Sequence, residues 1–388
     1  MTSRERLLKT LQGQIPDCVP AAPDISNMIP AKLTGMPFWD IYLYKKKPIW
    51  EAYIEAARYF DIDALMDGYF PLVFNDEPYF YSPFNTTSYP LQEAEEYIIF
   101  KNEERIITRK AWKIKNKLHW NDTVDVYYVA DPPTEGVKPE TIGLPPEPKH
   151  YELLKGQQEV DCGPEGFKKI KNMMGDQGLV GTFITTSITF ENEEQIYRYY
   201  DQPDMHNKWA AAKLEKAEKR FHQVMAMDIK PDFLCVGGSG TLLYQTMEMF
   251  RKISFPAVKR IIELAQEAGM MTHMHSCGPE SRLVKIMAEE TGLTVIDPLE
   301  IPPMGDCNLA RLKKDYGDKL TLKGNLHTTE TMLKGSVDDV VQASKKAIDD
   351  AAAGGRFILS TGDQCGRDTP LDNLHALVET ARTYGRYK

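Results

Sequence analysis

Long apolar runs are missing from this chain of 388 residues; no stretch nears the ~18 consecutive apolar residues of a membrane span. Basic charge is short too. Asp and Glu outnumber Lys and Arg 56 to 47, giving a formal charge of −9. That balance argues against nucleic acid as a partner, because phosphate-backbone binding rests on clustered cations. Cysteine is sparse: the six residues Cys18, Cys162, Cys235, Cys277, Cys307 and Cys365 are too scattered for a disulfide framework. Reduced thiols, some of them metal ligands, are expected. The opening residues Met1 to Arg6 carry both signs of charge and no apolar signal core, so the chain reads as cytoplasmic. Ser239 has no visible His and Asp partners, which sets nucleophilic serine chemistry aside.

What is present is an alternation of short apolar runs with amphipathic stretches. Strand candidates end near Asp24, Phe70, Thr185, Gly237, His275, Glu300, Leu326 and Gly362. Between them the spacing predicts helices, among them 3–12, 48–59, 205–227, 256–268, 280–290, 336–353 and 370–384. Pro256 at the first turn and Gly269 past the end frame one of these; Ser336 caps another. Eight such units predict a (β/α)8 barrel, with a doubly wound sheet as the alternative. Residues 71 to about 165 break the rhythm. They hold an aromatic cluster and alternating segments that predict hairpins, with a turn at Asn102. They are read as an insertion after the second strand of a single barrel domain spanning 1–388.

The stretch Met271-Thr-His-Met-His-Ser-Cys-Gly predicts a strand ending in His275-x-Cys277. Side chains two apart on a strand share a face, so an imidazole and a thiol converge where the strand ends. Cys365 follows the last strand and completes a possible zinc set of His275, Cys277 and Cys365. Asp363 and His327 also fall at strand ends, where barrels place their chemistry. His273, one layer deeper, reads as core or as a support for the ligands. Asp24, Asp67 and Asp297 are strand-end carboxylates that could do acid-base work, the first two also being available to a substrate. Tyr69 and Phe80, from the aromatic cluster, could roof the barrel mouth. Ser239, in Gly237-Gly-Ser-Gly, sits where a ligand can approach the backbone closely.

The opening Arg4-Glu-Arg-Leu-Leu with Pro16-Asp-Cys-Val-Pro resembles the uroporphyrinogen decarboxylase superfamily. So do His275-Ser-Cys-Gly and the tail from Gly324 through Gly355-Arg-Phe-Ile-Leu-Ser-Thr-Gly to Tyr384-Gly. The resemblance implies a (β/α)8 barrel. Residues 21–28 lack the arginine with which the decarboxylases hold their substrate's acid groups, and His-x-Cys is similar to the corrinoid-dependent methyltransferase branch. That branch implies zinc, a small methyl donor or acceptor, and cobalamin supplied by a partner, since no Asp-x-His-x-x-Gly cobalamin signature is present. In such relatives a cysteine directly follows the last strand's glycine; here Asp363 stands there and Cys365 comes two residues later, so either or both could ligate. The aromatic cluster favours an aryl methyl ether of the guaiacol or vanillate type. A methylcobamide:thiol transferase of the coenzyme M type, a decarboxylase-like enzyme and a non-catalytic barrel with structural zinc are the alternatives.

Overall fold

The computed structural model describes residues 1–70, 72–74, 94–187, 190, 193–243 and 245–388. They form two compact units, one of residues 1–25, 57–68 and 171–388, the other of residues 26–56 and 69–170.

The first unit is built on seven parallel strands whose order in the sheet equals their order in the chain. They are β1 (Ala64–Met66), β2 (Gly178–Phe183), β3 (Phe233–Val236), β4 (Met271–His275), β5 (Val295–Asp297), β6 (Thr321–Leu326) and β7 (Phe357–Thr361). The N-terminal segment fills the gap between β7 and β1. Leu359 N donates to Pro20 O and Ala22 N to Leu359 O, both at 2.9 Å, while Asp63 N donates to Ala21 O at 2.8 Å. This segment is the eighth stave, and the sheet closes into the (β/α)8 barrel that the strand pattern predicts. Each strand candidate ends within a few residues of its place. The helices Glu193–Asp201 and Leu309–Tyr316 escape the sequence reading. The first buries only Tyr199 and exposes Tyr197 and Tyr200, so it carries no apolar stripe to read.

The interior is apolar where the strands begin. The first helix, Ser3–Leu11, is started by a Thr2–Glu5 capping box. It sends Leu7 and Leu11 into a cluster with Leu65, Leu179, Phe233, Val295 and Ile358. Gly181 makes room for this packing, since a Cβ there would lie 2.4 Å from the Phe233 ring. Beside that plug Asp63, fully buried, accepts from Arg6 Nη1 at 2.6 Å, Arg382 Nη1 at 2.7 Å and Ala21 N at 2.8 Å. One carboxylate thus ties the first helix, the last helix (Leu371–Thr383) and the closing stave.

The second unit holds an antiparallel sheet of Ala94–Lys101, Arg105–Ile114, Lys117–Trp120, Val124–Tyr128, Thr134–Val137 and Glu152–Leu153. The expected turn is there: Asn102 Oδ1 accepts from Glu104 N at 3.0 Å and Arg105 N at 2.8 Å. Ile98, Ile106 and Tyr127 pack with Phe38, Ile41, Tyr42 and Ile49. Residues 71–165 fall in this unit together with 26–56. No helix among the described residues is long and apolar enough to cross a membrane.

Asp63→Ala strands two arginines without their shared counter-charge. A buried pair broken this way typically costs about 3–5 kcal/mol. Urea unfolding should show the midpoint falling by that amount divided by m, with m unchanged; an unaltered midpoint would mean that the cluster contributes nothing to closure.

Candidate metal centre

The site grows out of β4. Along it Met271, His273 and His275 share one face, and the buried Thr272 and Met274 take the other. The inward face therefore runs from apolar to polar toward the strand end. In the parallel register His275 is the partner of Asp297, the last residue of β5. Asp297 Oδ1 accepts from His275 Nδ1 at 3.0 Å and from His273 Nε2 at 3.0 Å. Lys323 of β6 donates to the other oxygen, Oδ2. On its far side His273 Nδ1 faces Asp67 Oδ2 at 3.0 Å.

This is a ladder of alternating charge inside the barrel. Burial opposes the His273 imidazolium, but the Asp297 charge and the bonds to Asp297 and Asp67 outweigh it and lift the group to about 9. Burial also disfavours the Asp297 carboxylate, yet Lys323 and the two histidines hold it well below the usual range. Burial acts alike on Lys323, and Asp297 again prevails. With both nitrogens of His273 given to carboxylates, that ring has no lone pair left for a metal. The nearby grouping of Asp67, Cys235 and His273 is therefore a hydrogen-bonded support.

His275 spends Nδ1 on Asp297, which turns Nε2 toward the open end. There one ligand atom each from His275, Cys277 and Asp363 lie within 4.8 Å of one another. His275 Nε2 is 3.8 Å from Asp363 Oδ1. Zinc ligands at ~2.0–2.1 Å in a tetrahedron stand roughly 3.3 Å apart, so the spacing is near that of a zinc cradle. Nitrogen, sulfur and carboxylate oxygen are all zinc donors, and a carboxylate–histidine pair is the usual outer support of such an ion. The residues present fit zinc. All three donors are partly exposed, and no fourth His, Cys, Asp or Glu joins the group among the described residues. Asp363 holds φ +101, a conformation that L residues rarely adopt.

The remaining candidate residues are placed as follows. Cys365 stands apart from that group: it is fully buried, its N–H donates to Asp24 O at 2.9 Å, and its thiol lies against Thr361 and Thr369. Burial pushes that thiol up to about 12. His327 caps the next helical turn, its Nδ1 accepting from Thr329 N at 3.1 Å and Glu330 N at 3.2 Å, and it lines a pocket with Glu300, Met304 and Asn325. Asp24 N donates to Thr361 Oγ1 at 3.0 Å, in the same turn region. Asp67 is engaged with His273. Ser239 Oγ lies 2.9 Å from Cys277 Sγ. Tyr69 belongs to the second unit, where it stacks on Tyr53 at 4.5 Å. Phe80 lies outside the described residues. Sequence reasoning missed Lys323, Glu280 and Glu300. Lys323 had a signal, a lone lysine within the apolar run Thr321-Leu-Lys-Gly-Asn-Leu. Glu280 and Glu300 are buried beside the site, and burial raises both carboxyls.

A closed barrel with an open three-donor site at the strand ends is the plan of a metal-dependent barrel enzyme. Residues 238–384 match the uroporphyrinogen decarboxylase family. A methylcobamide:CoM methyltransferase (MtbA) of Methanosarcina acetivorans is 28% identical over 137 residues, 35% of this chain and 37% of that protein. A second (MtaA), of Methanosarcina barkeri, is 30% identical over 127 residues, 32% and 34% of the two chains. The matched region thus spans little more than a third of these relatives. A solved methyltransferase from Methanosarcina mazei shares the fold over 99% of both chains, with a TM-score of 0.58 at 16% identity. Over residues 238–384 the chain is similar to the uroporphyrinogen decarboxylase family, and over about a third of its length to methylcobamide:CoM methyltransferases.

The two candidates for the third ligand give opposite expectations. Metal analysis should find about one zinc per chain, lost in Asp363→Gly and kept in Cys365→Ala. Because glycine accepts φ +101 without strain, Asp363→Gly should also unfold about 1 kcal/mol later while binding no metal. Zinc lost only in the Cys365 variant would reverse the assignment.

Proposed function

We propose that this chain is a zinc-dependent methyltransferase that moves a methyl group between the cobalt of a corrinoid and a small substrate. The observation that carries the reading is the convergence of His275, Cys277 and Asp363 at the strand ends of a barrel related to methylcobamide methyltransferases. The corrinoid would come on a carrier protein, in keeping with the methylcobamide named for the relatives. Residues 71–165 are an insertion into this one barrel-bearing chain.

His275, Cys277 and Asp363 would hold the zinc. When bound, it supplies Lewis acidity that stabilises negative charge on a substrate sulfur or oxygen. The chain's own groups do the rest. Asp297 keeps His275 Nδ1 occupied, so a single ring nitrogen faces the cluster. Glu300 accepts from Gly278 N and fixes the backbone just past Cys277. His327, its Nδ1 committed to the helical cap, presents Nε2 as its free nitrogen. His327 and Glu300 line the adjoining pocket and would orient the substrate's polar end.

The favoured partner for the methyl group is a thiol, which agrees with the coenzyme M named for the relatives. An oxygen substrate is the second reading. It is favoured by Asp363, since a carboxylate donates less charge to the ion than a second thiolate would and leaves it more electrophilic. The aryl methyl ether preference rested on the aromatic cluster at 69–84, of which Tyr79, Phe80, Tyr81 and Phe84 lie outside the described residues.

The zinc-loaded chain mixed with methylcobalamin and 2-mercaptoethanesulfonate should convert the methylcobalamin spectrum to that of cob(I)alamin. Cob(I)alamin mixed with methyl ethers tests the reverse flow. Cys277→Ala should slow whichever reaction occurs by more than about 100-fold. A zinc-bound chain that leaves both cobalamin spectra unchanged with every thiol and ether would sink the proposal, and carbon dioxide released from a porphyrinogen would replace it with decarboxylation.

A further inference from the structure

Ser239 Oγ lies 2.9 Å from Cys277 Sγ, and the loop that carries it is built to keep it there. Gly237 leaves β3 at φ +92, and a Cβ on it would press within 3.0 Å of Met274 Cε and Cγ. Its N–H donates to Thr186 Oγ1 at 2.9 Å, and Thr241 Oγ1 donates to Gly238 O at 2.5 Å. Gly240 turns the chain again at φ +64. The serine is therefore held from both sides by backbone anchors, on a loop that only glycine can form at 237. Ser239 is exposed, whereas Cys277 is half-buried, so the hydroxyl approaches the sulfur from the solvent side.

We propose that Ser239 is a positioning residue: its hydroxyl donates a hydrogen bond to the Cys277 thiolate and so sets the strength of that metal ligand. The inference rests on the zinc reading above. A cysteine that ligates zinc is a thiolate and has no proton to give, so the serine is the donor. A charge-assisted bond of this kind draws electron density from the sulfur. It orients the sulfur lone pairs and makes the thiolate a weaker donor to the ion, which leaves the ion more electrophilic toward whatever fills its open position. Each of the two ligands from the β4 end thus has its own outer partner: Asp297 at the end of β5 accepts from His275, and Ser239 on the loop after β3 donates to Cys277. The duty assigned here differs from substrate binding, because the hydroxyl is already committed to sulfur.

Three chains decide it: the full-length wild type, Ser239→Ala and Ser239→Thr, the last retaining a hydroxyl. Zinc affinity is measured by competition with a chromophoric chelator, and the cobalt(II)-substituted proteins are scanned for the near-ultraviolet thiolate-to-cobalt band. Loss of an outer partner typically weakens metal binding about 10- to 100-fold. Ser239→Ala should show that loss, because an unheld sulfur has to be ordered on binding and this outweighs its gain in donor strength, together with a shift of the band to longer wavelength; Ser239→Thr should retain the wild-type values of both. Exposure of Ser239 keeps folding out of the question, and circular dichroism of the metal-free variants checks it. If wild type binds zinc and Ser239→Ala matches it in affinity and spectrum, this inference is overturned while the metal reading stands. If wild type binds no zinc, the metal reading itself falls, and this inference with it.

Discussion

The structure around the site depends on one buried carboxylate. Asp297 is 2% exposed and accepts from three side chains, His273, His275 and Lys323. A lone carboxylate at that depth would protonate, because burial raises its pKa, and a neutral acid would lose its grip on the imidazoles. Lys323 prevents this, and Asp67 in turn keeps His273 charged. The four groups alternate in sign, so no charge in the ladder is left alone in the interior. The arrangement is costly to desolvate and adds little net stability. What it provides is direction: His275 has one permitted orientation, with Nε2 toward the open end.

The strand repeat of two is what made much of this legible. His273, His275 and Cys277 follow it, and so does the shift from the apolar plug at Met271 to the polar mouth. The eight staves could be read because each is a short apolar run closed by a polar or glycine-rich turn. Contacts between strands were not legible in the same way. That Asp297 faces His275 is a matter of register between β4 and β5, which no local pattern encodes. Lys323 could be seen as odd in its strand, but its partner could not. The helix at 193–201 was invisible because its one buried side chain, Tyr199, makes no stripe.

The third ligand shows where spacing alone runs out. Asp363 and Cys365 lie two apart beyond β7, and a continued strand would put both on one face. The backbone does not continue as a strand. Asp363 turns at φ +101, and Cys365 N donates back to Asp24 O, which draws the thiol under the turn against Thr361 and Thr369. A single left-handed residue thus separates two side chains that the sequence leaves equivalent, with the carboxylate at the mouth and the thiol in the core.

That separation alters the chemistry more than the charge. A thiolate and a carboxylate each bring one negative charge, so the sum with zinc is the same for either third ligand. They differ in softness: sulfur shares its electrons with the ion, while oxygen holds them. The one sulfur in the proposed set, Cys277, lies 2.9 Å from Ser239 Oγ, and a hydrogen bond donated there would draw its electron density outward. The oxygen ligand and the hydrogen-bonded sulfur act in the same direction, toward a more electron-poor ion. Zinc held by His275, Cys277 and Asp363 would favour the anionic form of a substrate thiol while leaving that thiolate less nucleophilic than a two-thiolate ligand set would. Its advantage is greatest where negative charge has to be accepted from a departing group. The proposed ligand set would therefore also serve the second reading, release of a methyl group from an oxygen substrate, beside the thiol reading that the names of the relatives favour.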